Sequence, residues 1–337
     1  MAKTSTHKYV LVGAGNVGRS LVKDIMRAGK HLNTQLVAII DPDAAKARTL
    51  SQVVDVKVPA YANLQDFKKH FDAPCDFALV TVPAHIRVEI VMQLLDSGLH
   101  CLVEKPLAFT AKEVQAIREK AKSKGKHAQV ILPQRWTLAH LWKDFKPSKG
   151  PWAMNSIHTG PFVPRASDVD IIFDYVVDDI DLFVLLDEVF GLSAIKAIRS
   201  WGRKVRSNFF DWVSLAIELE NGGIFRFFAS RLSTTTMHTW EMTGPNWHGT
   251  LDFRRQSFQR FQKVGGNLNA FDATSRSGVA GLPIELELMT FFSAIQNGVY
   301  KGKIDLSELS TLGVRSRSLH KTHEIIDEVL KVMRVVE

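Results

Sequence analysis

Between Tyr9 and Gly29 the chain runs from an apolar strand through Gly13-Ala14-Gly15-Asn16-Val17-Gly18 into an amphipathic segment carrying Leu21, Ile25 and Met26. No other stretch constrains the fold as tightly. A G-x-G-x-x-G turn that follows a strand and opens a helix is what a βαβ unit requires. The first glycine permits the tight turn, the second lets backbone approach a phosphate, and the third lets the helix pack on the sheet. The alternation then continues. Leu36–Ile40, Phe77–Val82, His100–Val103 and Ala128–Leu132 are short apolar runs of strand length, and residues 43–50, 87–97 and 111–123 between them are helix-like. Strands buried on both faces read as unbroken apolar runs, so this part is predicted to be a doubly wound parallel sheet.

Beyond about residue 133 the pattern changes. Trp212–Leu219 and Ile224–Arg231 are strand-like and joined by Glu220-Asn221-Gly222-Gly223, which contains a hairpin Asn-Gly pair. Helices are predicted over 173–186, 284–296 and 320–335, with Gly298 as a stop for the second. Residues 265–281 are a connection rich in glycine, serine, threonine and asparagine. The expected fold class is α/β. A Rossmann sheet occupies residues 1–133, and an α+β domain with a largely antiparallel open sheet occupies 134–337, its last helix packing back on the N-terminal domain.

Bulk properties narrow the function classes. The net charge of +8 comes from scattered lysines and arginines with no basic region, so no nucleic-acid partner is expected. No stretch approaches the roughly 18 apolar residues of a membrane helix, and no apolar leader precedes Tyr9, which predicts a cytoplasmic protein without a membrane partner. Cys75 and Cys101 lie in apolar surroundings outside any C-x-x-C spacing and read as core thiols. His158, His238 and His248 show no metal-ligand clustering, so no metal is expected.

The helix that opens after the glycine turn offers free N–H groups and partial positive charge to phosphates. Asp41 ends the second strand, where a carboxylate accepts hydrogen bonds from adenosine ribose hydroxyls. Gly13, Gly15, Asn16, Val17, Gly18 and Asp41 are therefore the expected dinucleotide contacts. NAD is favoured over NADP, because the Asp41 carboxylate repels a 2'-phosphate and Pro42-Asp43 follow it rather than a basic pair.

Val103-Glu104-Lys105-Pro106-Leu107 after Ser97-Gly98-Leu99-His100, Thr81-Val82-Pro83-Ala84-His85, and Pro283-Ile284-Glu285 ahead of a late helix resemble the Gfo/Idh/MocA oxidoreductases, over nearly the whole chain. The resemblance implies that Thr81, Pro83, His85, Glu104 and Lys105 line the cofactor. It also implies that Lys105 relays the proton of the substrate hydroxyl and binds that hydroxyl. In the family this lysine works with an aspartate and a histidine spaced Asp-x-x-x-His. Asp174 matches the aspartate, and Asp178 stands where the histidine belongs.

That departure has chemical weight. Oxidising an alcohol by hydride transfer needs a base for the hydroxyl proton, and histidine titrates near neutrality while an ordinary carboxylate, at pKa about 4, does not. Three readings follow: Asp174 and Asp178, four residues apart on a helix face, raise one another's pKa and one serves as base; Lys105 suffices alone; or the chain binds dinucleotide without turnover, as a regulator or partner subunit. Arg135, after the last Rossmann strand, and Arg165 are candidate substrate ligands, followed by Asp168 and Arg231. The segment Pro161-Phe162-Val163-Pro164-Arg165 with the acidic helix resembles a bacterial branch of the family that includes nucleotide-sugar dehydrogenases. A sugar-type small-molecule substrate, and a homodimer or homotetramer formed through the C-terminal sheet, are what the resemblance implies.

Overall fold

The computed structural model of the protein describes residues 6–53, 57–142, 150–163, 169–263, 271–277, 283–297 and 316–336. The chain divides into two compact units. The first contains β1 (His7–Val12), α1 (Asn16–Leu32), β2 (Thr34–Ile40), α2 (Ala44–Val53), β3 (Ala60–Tyr61), α3 (Leu64–His70), β4 (Phe77–Val80), α4 (Ala84–Asp96), β5 (His100–Val103), α5 (Ala111–Ser123) and β6 (Ala128–Val130). Its six strands are all parallel, in the order β3-β2-β1-β4-β5-β6. This is the strand order of a dinucleotide-binding sheet, reversing direction of growth between β1 and β4. Every residue of β4 is buried, as an unbroken Phe-Ala-Leu-Val run covered on both faces should be.

The second unit begins with α6 (Gln134–Trp142) and β7 (Ala153–Thr159), followed by a π-helical turn, Ile172–Val176, that runs directly into α7 (Val177–Phe190). Then come β8 (Ile195–Arg203), β9 (Trp212–Leu219), β10 (Ile224–Ser230), β11 (Met237–Gly244), β12 (Trp247–Asp252), β13 (Ser257–Lys263) and β14 (Phe271–Ser277). After these lie α8 (Pro283–Asn297), α9 (Ser316–Lys331) and β15 (Met333–Val335). The nine-stranded sheet has the order β14-β13-β12-β11-β7-β10-β9-β8-β15 and is antiparallel except where β10 meets β7 and β15 meets β8. Alternation along the strands buries Phe225, Phe227, Trp240 and Met242 against α7 and α9, forming the core of this unit. The predicted hairpin joins β9 to β10, with Gly222 at φ +84°.

Both predicted sheets are present, and the C-terminal helices differ in destination from the sequence expectation. α8, rather than the last helix, belongs with the Rossmann unit, while α9 packs on α7 and β8 and gives way at Lys331 to β15. The Rossmann unit is thus residues 1–133 plus α8, minus a short piece around Phe109–Ala111. The docking of α8 is specific. Phe291 and Phe292 meet Phe77, His7 stacks on Phe292 at 4.3 Å, and the buried Glu287 carboxylate accepts from Gln129 on β6 and from the Leu132 N–H beyond it. The connection predicted over 265–281 contains β14, and the rest of it lies outside the described residues, as does Gly298. Among the described residues no helix is long and apolar enough to cross a membrane.

Candidate active site

The glycine turn joins β1 to α1. Gly13 has φ +99°, and a Cβ there would come within 2.9 Å of the Thr81 carbonyl carbon. A Cβ on Gly18 would sit 2.3 Å from the Gly13 oxygen. At Gly15 a Cβ would meet nothing within 4 Å, so this glycine borders open space at the start of α1. Gly13 and Gly18 serve the packing of turn, helix and sheet; Gly15 leaves room for a pyrophosphate against backbone N–H groups. Asn16 and Val17 are exposed beside it, Val17 to 47%. The two kinds of glycine separate experimentally. Gly18→Ala is expected to yield little folded protein, whereas Gly15→Val should leave the melting temperature of the free protein unchanged and weaken NADH binding more than about tenfold, read by fluorescence titration and thermal melts.

Asp41 lies at the carboxyl end of β2 and is buried. Its Oδ2 accepts from the Ala14 N–H of the glycine turn at 2.7 Å, and its Oδ1 from Asp43 N–H at 2.8 Å. Each oxygen keeps a second lone pair for a ribose hydroxyl. Thr81, just past β4, donates through Oγ1 to the Gly13 carbonyl at 2.6 Å, locking the two strand ends together. Pro83 precedes α4 and His85 is exposed in its first turn.

Glu104 and Lys105 follow β5, both half-buried, with a cis peptide between Lys105 and Pro106. A residue that sequence reading passed over shapes this loop. Arg87 on α4 is buried, and its guanidinium donates to the carbonyls of Val82, Glu104 and Pro106 at 2.7, 2.9 and 2.5 Å. It therefore ties together the loops after β4 and β5. The sequence carried a sign of this, because Arg87 shares a helix face with Ala84, Val91, Leu94 and Leu95, all buried. An arginine on the buried stripe of a helix must find acceptors inside.

In the second unit, Asp174 sits within the π-helical turn and is half-buried, while Asp178 lies in the first turn of α7 and is 5% exposed. The segment predicted as one continuous α-helix opens instead as a π turn that carries Asp174 and continues as α7, whose first turn carries Asp178. Such single turns recur at functional sites.

Two arginines proposed for substrate are committed elsewhere. Arg135, 4% exposed, makes a bidentate ion pair with the equally buried Asp181, which also accepts from Thr322 Oγ1 at 3.2 Å. A guanidinium buried on a carboxylate in this way holds α6 to α7 rather than facing a substrate. Arg231 pairs through Nε with Asp211 Oδ1 at 2.8 Å and donates to the Val169 carbonyl and Ser207 Oγ. Arg165 and Asp168 lie outside the described residues.

The expectation that His158 and His238 belong to no cluster is overturned. They are directly paired across β7 and β11, and both reach Asp179 of α7, with Nδ1 of His158 at 3.5 Å and Nε2 of His238 at 2.9 Å. Trp240 Nε1 donates to the same carboxylate at 2.6 Å. Burial pushes the Asp179 carboxyl up, but the two imidazoles outweigh it and hold it well below the usual carboxylate range. Positions so far apart in the chain, joined only through strand pairing, leave no local spacing to read.

Residues 7–132 match the family model GFO_IDH_MocA, described as an oxidoreductase family with an NAD-binding Rossmann fold. The chain is 21% identical over 294 residues to a UDP-N-acetylglucosamine 3-dehydrogenase of Acidithiobacillus ferrooxidans, covering 85% of this chain and 87% of that one. The solved structure of UDP-N-acetylglucosamine 3-dehydrogenase GnnA from the same organism shares the fold over 98% of both chains, with TM-score 0.78 and 18% identity. The WlbA dehydrogenase from Chromobacterium violaceum, solved with NADH and UDP-GlcNAcA, does so over 98% of this chain and 94% of that one, with TM-score 0.72 and 13% identity. The family model is thus matched across the Rossmann strands, residues 7–132, as the NAD-binding Rossmann fold of the Gfo/Idh/MocA oxidoreductase family, and the fold of the solved relatives is shared over nearly the entire chain.

Proposed function

We propose that the protein is an NAD-dependent dehydrogenase that transfers hydride between the nicotinamide and a secondary hydroxyl, or the matching ketone, of a sugar-type substrate, a nucleotide sugar ahead of a free polyol. The observation that carries this reading is Lys105, half-buried in the Arg87-braced loop at the carboxyl end of β5, in the row of strand ends that also holds the glycine turn and Asp41. The space beside Gly15, the N–H groups of α1 and the Asp41 carboxylate suit a dinucleotide. When bound, it supplies the carbon that accepts the hydride. Lys105, in its neutral form, takes the hydroxyl proton as the C–H electron pair leaves, and Asp174 orients the sugar. The named activities of the two UDP-sugar relatives support the substrate class.

The direct test is fluorescence titration with NADH and NADPH, followed by a panel of UDP-sugars, sugars and polyols with NAD. Tight NADH and weak NADPH binding, with preference lost in Asp41→Ala, supports the assignment; binding of neither removes the enzyme reading. One observation favours a second reading, a dinucleotide-binding regulator or partner subunit without turnover: buried Asp178 occupies the position of the family's histidine. No turnover across the panel, with turnover created by Asp178→His, decides for it. Self-association through the face of the nine-stranded sheet opposite α7 also belongs to the proposal, supported by exposed Ile157 and Phe261, and light scattering reads it.

A further inference from the structure

We propose that His158, Asp179 and His238 form a binding site for a divalent transition metal of the zinc class, independent of the dinucleotide site. Their ligand atoms lie within 4.8 Å of one another and come from β7, the first turn of α7 and β11. His158 and His238 are directly opposite each other in the β7/β11 ladder and share the strand faces that bury Met154, Trp240 and Met242. Both imidazoles are therefore aimed at the helix that carries Asp179, which is 1% exposed.

The spacing has the dimensions of a coordination shell. Asp179 Oδ1 is occupied by Trp240 N–H and His238, while Asp179 Oδ2 and His158 Nδ1 stand 3.5 Å apart. That is longer than an N–H···O hydrogen bond, and His158 Nδ1, although buried, makes no hydrogen bond among the described residues. Around a four-coordinate zinc ion with bonds of about 2.0–2.1 Å, neighbouring ligand atoms lie about 3.4 Å apart. The gap between His158 and Asp179 is already one edge of that tetrahedron. His238 completes the set by giving up its direct contact with Asp179, with the two rings opening from their 6° stack.

The surroundings suit a metal as well. Tyr175, His158, His238 and Phe253 form a continuous stack with centroid spacings of 4.2, 3.8 and 4.2 Å, which shields the site and fixes the ring edges. Trp240 orients the carboxylate from behind, the part an outer hydrogen-bond donor plays at metal centres. Two imidazoles and one carboxylate select Zn²⁺, Co²⁺ or Ni²⁺ over the all-oxygen preference of Mg²⁺ and Ca²⁺. Bound there, an ion clamps β7 and β11 to the start of α7, the segment next to Asp174 and Asp178.

The experiment is titration of chelator-treated full-length protein with Co²⁺ and Zn²⁺, followed by visible d–d absorption, elemental analysis and thermal melts. The expected result is a single ion per chain, a melting temperature raised by Zn²⁺ and unmoved by Mg²⁺, and binding weakened more than tenfold in His158→Gln and in His238→Gln. His158→Gln removes Nδ1, which makes no hydrogen bond among the described residues, together with the ring stacked between Tyr175 and His238; circular dichroism of the metal-free variant checks that the fold survives. Absence of stoichiometric binding to the unaltered protein, or binding of equal strength in both variants, overturns the proposal.

Discussion

Lys105→Met should lower turnover by about 10²- to 10⁴-fold while leaving NADH affinity within about threefold. The reasoning separates two tasks. In the proposed function the main anchors of the cofactor are the glycine turn, the N-terminus of α1 and Asp41. Removal of the hydroxyl proton needs a group that is able to accept one, and the methionine side chain cannot. Lys105→Arg is the sharper variant, since it keeps positive charge yet does not release its proton at working pH, and it should fail to a similar degree. Steady-state rates beside fluorescence titrations provide the readout. Undiminished turnover in either variant places the relay elsewhere and returns attention to Asp174 and Asp178.

Asp211→Ala should destabilise the fold by about 3–5 kcal/mol, measured from urea unfolding midpoints. Asp211 is fully buried, and its carboxylate accepts from the N–H groups of Val205, Arg206 and Ser207, from Ser207 Oγ and from Arg231. Removing it takes from the buried Arg231 guanidinium, 3% exposed, the carboxylate that pairs with its Nε. Because most of the loss comes from that broken ion pair, Arg231→Met in the Asp211→Leu background should recover a large part of it. The pH dependence follows the same contacts. Burial pushes the Asp211 carboxyl up, but the Arg206 and Val205 N–H groups and Arg231 outweigh it and hold it below the usual range. A folded-state value below the unfolded one, about 3.9, means that this stability is complete above that pH and is lost as pH falls beneath it. Asp211→Asn should therefore be less stable at neutral pH and show a shallower further loss on acidification.

How much was legible in the sequence depends on whether the cause of each feature was local. The glycine turn, the unbroken apolar strands and the Asn-Gly hairpin are set by near neighbours, and β5 and α5 have the predicted bounds. β3, two residues long, carries too little pattern to see, and β11 and β12 mix Thr and His with apolar residues because one face is not in the core. Arg135 looked free for a substrate because its partner, Asp181, stands 46 residues later on another helix. Likewise the imidazoles on Asp179 exist as a cluster only through the register of β7 against β11. Arg87 was locally legible and missed; a cation on a buried helical stripe is a sign of carbonyls waiting to be held.

The return of α8 to the Rossmann sheet has a consequence for synthesis. Phe77 and the Gln129 edge of β6 leave the ribosome long before Phe291, Phe292 and Glu287, which cover them. Until residue 297 has been made, the nascent dinucleotide-binding domain carries an open apolar flank, although its last strand ends at Val130. A fragment stopped near residue 133 should therefore be sticky, and a chaperone would meet its most exposed surface while the second sheet is still emerging.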